Sequence, residues 1–475
     1  MVRSELVLLC VLSLAGPAHA ERYTLATLLG RVSEESPAIV AARAQLAARR
    51  AQLLEQQLRW LPAGEARLYV SSSPTVRCLS PSSPAGGDSE SERLSHCVDT
   101  NVVDLLRGVP GADRSPFQEP LGNFSMALAQ PLFTSSKISS AIGAARGGVG
   151  AAEAGVAVAQ GDVAMTAVHT FAELKAARAS LSTIDTGRGK LRDWLERSEK
   201  GSDDAKRSRF SEADRLRVRL ALEDTRMTLL DQERLIEVSL EVLRALTGDP
   251  QADVDESERE SDFQRRPVPS QAELHELMRR DRPEVRQGES GLFSLRQLRR
   301  LQGALALPDL LLLTGFRWGF ASGLDIPTLA FVDLPPNAPG ALLGLALHES
   351  LAFGVNLARW RQATLEERMQ RQRFGLGLIY WTLELDKAWL DHREARERLA
   401  LTTRAEQLTQ AWYATIDRKL TNGAAVDGRD LVDVISSWMS SRLQRVNALR
   451  DAVVTLATLR RLSGQPILGP DGGLL

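Results

Sequence analysis

Chemistry on this chain would have to come from its six histidines, three cysteines and many carboxylates, and their spacing argues against catalysis. His19, His96, His169, His275, His348 and His392 lie far apart. None belongs to a His-Glu-x-x-His metal motif, and neither a Gly-x-Ser-x-Gly nucleophile turn nor a phosphate-binding loop is present. The acidic residues are spread along charge-rich stretches, as solvated helix faces require. No enzyme activity, cofactor or metal is expected. One pair does offer chemistry: Cys78 and Cys97 have 18 residues between them, in a stretch rich in Ser, Pro and Gly. In an oxidising compartment they are disulfide candidates, and closing such a loop restricts the unfolded chain by roughly 3 kcal/mol. Two free thiols are the alternative. Zinc is disfavoured, because His96 is the only nearby histidine and there is no second cysteine pair.

The compartment is set by residues 1–20, read as a signal peptide. Arg3 is followed by an apolar run at 6–15, and Ala18-His19-Ala20 has the small-x-small form of a cleavage site. The run is too short for a spanning helix, which needs about 20 residues. Cys10 lies inside it and so offers no lipid-attachment signal. A mature chain starting near Glu21 is expected. Lys plus Arg is 59 and Asp plus Glu is 60, a balance that gives no reason to expect a nucleic-acid partner. Beyond the leader no uncharged apolar run reaches bilayer length.

The elements that would position any site come in two matching sets. Pro37 and Pro62 are related to Pro283 and Pro308 by one offset of 246, which also sets Leu28 on Leu274 and Val32 on Met278. Leu243-Arg-Ala-Leu-Thr-Gly-Asp-Pro250 ends one set, and Leu459-Arg-Arg-Leu-Ser-Gly-Gln-Pro466 ends the other. Gly then Pro after a Leu-rich helical pattern is a helix stop. Several matches in the same order indicate an internal duplication. The first repeat covers 21–250, 251–268 is a linker or equatorial segment, the second repeat covers 269–466, and 467–475 is a C-terminal tail.

Each repeat reads helix, strand, long loop, strand, long helix, turn, helix. Strands are expected near 65–71, 123–133, 309–320 and 350–358. In the first, Ala66, Leu68 and Val70 oppose Glu65, Arg67 and Tyr69; in the second, Phe124, Met126 and Leu128 oppose Ser125, Ala127 and Ala129. In the third, Leu312, Phe316, Trp318 and Phe320 oppose Leu313, Gly315, Arg317 and Gly319. Leu351, Phe353, Val355 and Leu357 alternate with small or polar residues in the fourth. A period of two admits a soluble sheet covering a core or a membrane sheet with lipid on one face and water on the other. Under the membrane reading four strands cannot close a barrel, so several chains must share one. The proline-free run 134–200 would extend ~100 Å as a helix, and 361–417 ~85 Å, which is the length scale of coiled coils.

Taken in this order, the duplicated plan, Leu-Pro before the first strand of each half, Gln130-Pro131-Leu132-Phe133 closing the second strand and Gly428-Arg-Asp-Leu-Val-Asp-Val-Ile435 opening the last helix resemble the TolC-like outer-membrane efflux proteins. The resemblance implies a mixed α/β membrane protein: a homotrimer with a 12-stranded β-barrel, four strands per chain, continuous with a periplasmic α-helical coiled-coil barrel. It also implies an outer-membrane channel, the passive exit duct of a tripartite efflux or type I secretion system. The partners implied are outer-membrane lipid, a periplasmic adaptor (membrane fusion) protein, and an inner-membrane efflux pump or ABC transporter. Asp433 matches a ring aspartate at the pore entrance, Arg429 an arginine that links the closed coils, and Glu212 stands where an acidic partner is usual. Ser436 departs from the pattern, which has a second aspartate there. A periplasmic coiled-coil adaptor or structural protein without a pore is the rival reading.

Overall fold

The computed structural model describes residues 22–74, 76–78, 97–99, 117–200, 212–255, 269–321, 339–349, 351–421 and 428–467. The leader 1–20, the turn at 201–209 and the tail from 468 onward lie outside the described residues. In chain order the elements are β1 (Arg22–Tyr23), α1 (Leu25–Glu35), α2 (Pro37–Leu58), β2 (Ala63–Pro74), β3 (Val76–Cys78), β4 (Cys97–Asp99), β5 (Phe117–Phe133) and α3 (Lys137–Lys200). They continue with α4 (Glu212–Thr247), β6 (Asp253–Val254), α5 (Gln271–Asp281), α6 (Pro283–Ala304), β7 (Asp309–Ala321), β8 (Pro339–His348), α7 (Phe353–Thr421) and α8 (Gly428–Ser463).

Local chemistry fixes the helix ends. The Thr24 hydroxyl accepts the Thr27 backbone N–H at 3.2 Å to start α1, and Ser270 with Glu273 forms a full capping box at α5. Pro37 and Pro283 stand at the first position of α2 and α6, where the missing N–H costs nothing. Each separates an 11-residue helix from a 22-residue one. The helix that opens each repeat in the sequence reading is therefore two helices, broken at these two prolines. Gly248 and Gly464 take left-handed φ values of 69° and 80° at the ends of α4 and α8.

Two compact units are present, and each draws on both halves of the chain. The helical unit comprises the described residues of Met1–Arg49, Gly148–Gly291 and Gln370–Leu475; the sheet unit comprises those of Arg50–Gly147 and Leu292–Met369. In the helical unit Leu28 and Val32 of α1 bury against Val168, Phe171 and Leu174 of α3, while Leu274 and Met278 of α5 bury against Leu385 of α7 and Leu459 of α8. All four offset-related positions are thus core. β1 and β6 pair in parallel, Arg22 opposite Asp253, and Arg178 holds Asp253 at 2.6 Å. The stretch expected as a linker from 251 therefore begins with a paired strand.

The sheet unit holds one antiparallel sheet in the order β2-β5-β7-β8. Three strands contain the expected segments. The fourth does not: residues near 350–358 are not a strand, and Pro339–His348 is. The reason is length matching. β7 starts at Asp309, just after Pro308, and its register sets Asp309 opposite His348, so residues beyond 348 have no partner strand to pair with. α7 begins there instead, with the Asn356 backbone N–H bonding the Ala352 carbonyl at 2.9 Å. The fourth strand's alternation lies upstream, where Leu343, Leu345 and Leu347 share a face.

A buried arginine ties the helical unit together. Arg461 of α8, 8% exposed, donates two hydrogen bonds to the Glu284 carboxylate of α6, at 2.7 and 3.2 Å, and one to Asp162 of α3 at 3.0 Å. Glu284 also accepts from Arg282 at 3.2 Å, and Arg282 reaches Glu384 of α7 at 2.8 Å. Burial pushes the Glu284 carboxyl up, but the bonds and charge of Arg461 outweigh it and hold the group below the usual carboxylate range. That contribution to stability is present above the unfolded pKa and fades as pH falls through the lowered value. Gly161 makes room for this arginine, since a Cβ there would run into the Arg461 guanidinium. Removing one partner strands the others, at about 3–5 kcal/mol. Arg461→Met is therefore expected to lower the unfolding free energy, read from denaturant titration of the helical signal in circular dichroism, by that magnitude; a loss below about 1 kcal/mol would contradict a structural role.

Candidate functional site

Two surfaces stand out, and each is built by pairing or packing within its own unit. In the sheet, cross-strand partners share a face, so the register sorts every residue. One face carries Leu68, Phe124 and Trp318 in one row, Ala66, Met126 and Phe316 in the next, and Leu128 and Leu343 beyond. Phe124 and Phe316 rings lie 6.2 Å apart, Trp318 and Phe320 5.5 Å. These large side chains are open: Leu68 is 73% exposed, Leu343 74% and Trp318 45%. A water-facing sheet would hide them.

The opposite face is small and polar. Tyr69, Asn123 and Gly319 form one row, and Arg67, Ser125, Arg317 and Gly340 the next. Arg67 is held by Glu65 at 2.5 Å. Leu311, Leu313 and Leu342 interrupt this face toward the end at Asp309, which pairs with Lys137 at 2.9 Å. Where β5 passes into α3 the backbone turns through Ser135 and Ser136, both left-handed, and the Ser135 hydroxyl donates to the Pro308 carbonyl at 2.7 Å. The outer strands β2 and β8 pair on one side only.

In the helical unit, the starts of α4 and α8 pack over an aromatic cluster. Leu191 and Trp194 of α3, Val218 of α4, Ile416 of α7, and Leu431, Val434 and Trp438 of α8 form its core. Lys190 of α3 lies 3.6 Å from the Tyr413 ring centroid and 4.3 Å from that of Trp438, a cation–π contact joining three helices. Burial lowers the Lys190 pKa, Asp417 opposes that, and Arg442 adds to it. Gly428 sits against Asp214, where a Cβ would come 2.7 Å from the aspartate Cβ and 3.4 Å from Trp194.

Of the residues the sequence singled out, Cys78 and Cys97 stand opposite each other on β3 and β4, and one pair of the pore residues is brought together. Arg429 and Asp433 lie one helical turn apart on α8, with a 3.8 Å contact and 69% and 57% of their side chains exposed. Glu212 is exposed on the first turn of α4, two residues before the buried Asp214. Ser436 is half-buried on α8. The Lys190, Tyr413 and Trp438 contact was not foreseen, because three residues so far apart in the chain leave no spacing signal. His392 is buried on α7, its Nδ1 3.1 Å from the Thr455 hydroxyl, and burial with Arg396 and Arg460 pushes its pKa down to about 4. It is a neutral interface group at neutral pH. Among the described residues no cluster of three or more His, Cys, Asp or Glu could hold a metal ion, and no described helix is long and apolar enough to cross a membrane.

No protein-family model matches the sequence, and no curated protein matches it. The fold, however, is that of outer-membrane channels. A structure of CusC, from work on its folding and transmembrane channel formation, superposes with a TM-score of 0.72 at 14% identity, covering 96% of each chain. The Campylobacter jejuni CmeC outer membrane channel gives 0.67 at 15% identity, over 93% of this chain and 85% of that one. The open state of the Neisseria gonorrhoeae MtrE outer membrane channel gives 0.67 at 15% identity, over 93% and 89%.

The contrast between Gly428 and the exposed pair on the same helix can be measured. Gly428→Val should cost about 1–3 kcal/mol through overpacking and shift the fluorescence of Trp194 and Trp438. Arg429→Ala should cost less than about 1 kcal/mol, as an exposed ion pair does. Equal losses from both would contradict the packing described for Gly428.

Proposed function

We propose that three copies of this chain form a passive exit duct through the outer membrane, which takes cargo from an inner-membrane efflux pump or ABC transporter by way of a periplasmic adaptor. The observation that carries the reading is the open amphipathic sheet: large apolar side chains exposed on one face, small and polar ones on the other, and a free edge on β2 and on β8. In hydrocarbon each unpaired edge group costs several kcal/mol. β2 and β8 run in opposite senses, so β8 of one copy can meet β2 of the next as another antiparallel pair. Four strands from each of three copies then close a twelve-stranded wall with no edge. The fold shared with outer-membrane channels supports the same reading.

Duplication of one half-chain unit is supported by the equal helix lengths of 11 and 22 residues in each half and by the four matching buried positions. At the entrance, three copies of Asp433 around an axis would attract cations, with Arg429 linking the closed coils and Glu212 beside them. A Cys78–Cys97 disulfide is part of the proposal, since the β3–β4 register sets these residues opposite each other; both thiols should resist alkylation until a reductant is added, and ready alkylation without one would count against it.

The reading is tested on protein purified in detergent. Cross-linking should give trimers whose electrophoretic migration changes on heating, and planar bilayers should record discrete channels. Arg429→Ala should then raise single-channel conductance. A water-soluble monomer would end the duct reading, whereas trimers whose conductance ignores Arg429→Ala would end only the gate assignment.

A further inference from the structure

We infer that Arg317 sets an anion-preferring ring inside the sheet-lined part of the conduit, and this rests on the duct reading above. The register places Arg317 on the small, polar face, opposite Ser125 on one side and Gly340 on the other, with Gly315 and Gly319 two residues away along its own strand. An arginine turned to lipid at mid-depth would cost about 2–4 kcal/mol, so this face is the water-filled one. A Cβ at Gly315 or Gly319 would meet its nearest neighbour at 3.6 Å, an ordinary contact. Packing therefore does not require glycine at either place, and their lack of side chains leaves open space around the guanidinium.

The charges on this face are separated along it: Glu119, opposite Ser73, lies six residues along β5 from Ser125, the cross-strand partner of Arg317. Arg67 is neutralised by Glu65, and Asp309 by Lys137. Among the described residues no carboxylate forms an ion pair with Arg317. Each copy thus adds one uncompensated positive charge at the same level of the wall, and three copies make a ring that concentrates small anions and the anionic groups of cargo. Its sign is opposite to that of the Asp433 ring.

The test is the reversal potential of the trimer in a potassium chloride gradient, near 0.01 M, where the screening length is about 30 Å. Arg317→Gln should lower the chloride-to-potassium permeability ratio by about twofold or more, Arg317→Glu should lower it further, and Arg317→Lys should leave it near the parent value. Arg317→Ser, which copies the residue across at position 125, gives the same reading if the glutamine variant does not assemble. Assembled trimers of Arg317→Gln or Arg317→Ser with the parent ratio would overturn the inference and leave the duct intact. A parent protein that forms no channel would instead overturn the duct reading itself.

Discussion

Backbone hydrogen bonding at the two free sheet edges is the constraint on which the rest of this architecture turns. A strand that pairs on one side only leaves a row of donors and acceptors exposed, and here the face beside those edges is also lined with exposed leucine, phenylalanine and tryptophan. Neither feature suits a lone chain in water, where such an edge invites pairing with any other strand. Both are resolved together when further copies complete the wall and lipid covers the apolar face. In the duct we propose, assembly and membrane insertion are one requirement, met by the same strands.

The helical unit solves a different problem. Its helices are long and rich in charge, and the core they share is a series of small clusters. Two buried arginines link several of those helices, Arg461 joining α3, α6 and α8 and Arg282 joining α6 to α7, and the half-buried Arg178 binds the strand pair at Asp253. Such pairs contribute little net stability compared with apolar packing, but they penalise any sliding that would separate a buried charge from its partner. Near the starts of α4 and α8 the linkage is aromatic, with Lys190 between Tyr413 and Trp438.

Much of this was legible in the chain. Leu28, Val32, Leu274 and Met278 proved to be core, and the face assigned to each residue of three strands matches the observed register, whereas Pro37 and Pro283 served only as repeat landmarks and the helix breaks at them went unread. The fourth strand was misplaced because a four-pair alternation at 351–358 is as compatible with the first turns of a helix as with a strand. What decided between them was the length of β7, a partner that local pattern does not contain. Arg429 and Asp433 were singled out by the family resemblance of the stretch that opens the last helix, and the structure sets them one helical turn apart. Arg461 and Lys190 were not singled out, since their partners lie on other helices far along the chain and a lone arginine or lysine in a helical pattern looks like solvated surface.

The two left-handed glycines that close the halves are not equivalent. A side chain at Gly248 would meet nothing within 4 Å, whereas one at Gly464 would strike the backbone of Asp281 and Arg282 at the corner before Pro283. The end of α8 is therefore seated against the bend between α5 and α6, and the Arg461–Glu284 pair clamps the same junction from within. The two ends of α8 are thus held by different means: its last turn by backbone seating and a charge clamp, its first turns by side-chain packing on the aromatic cluster.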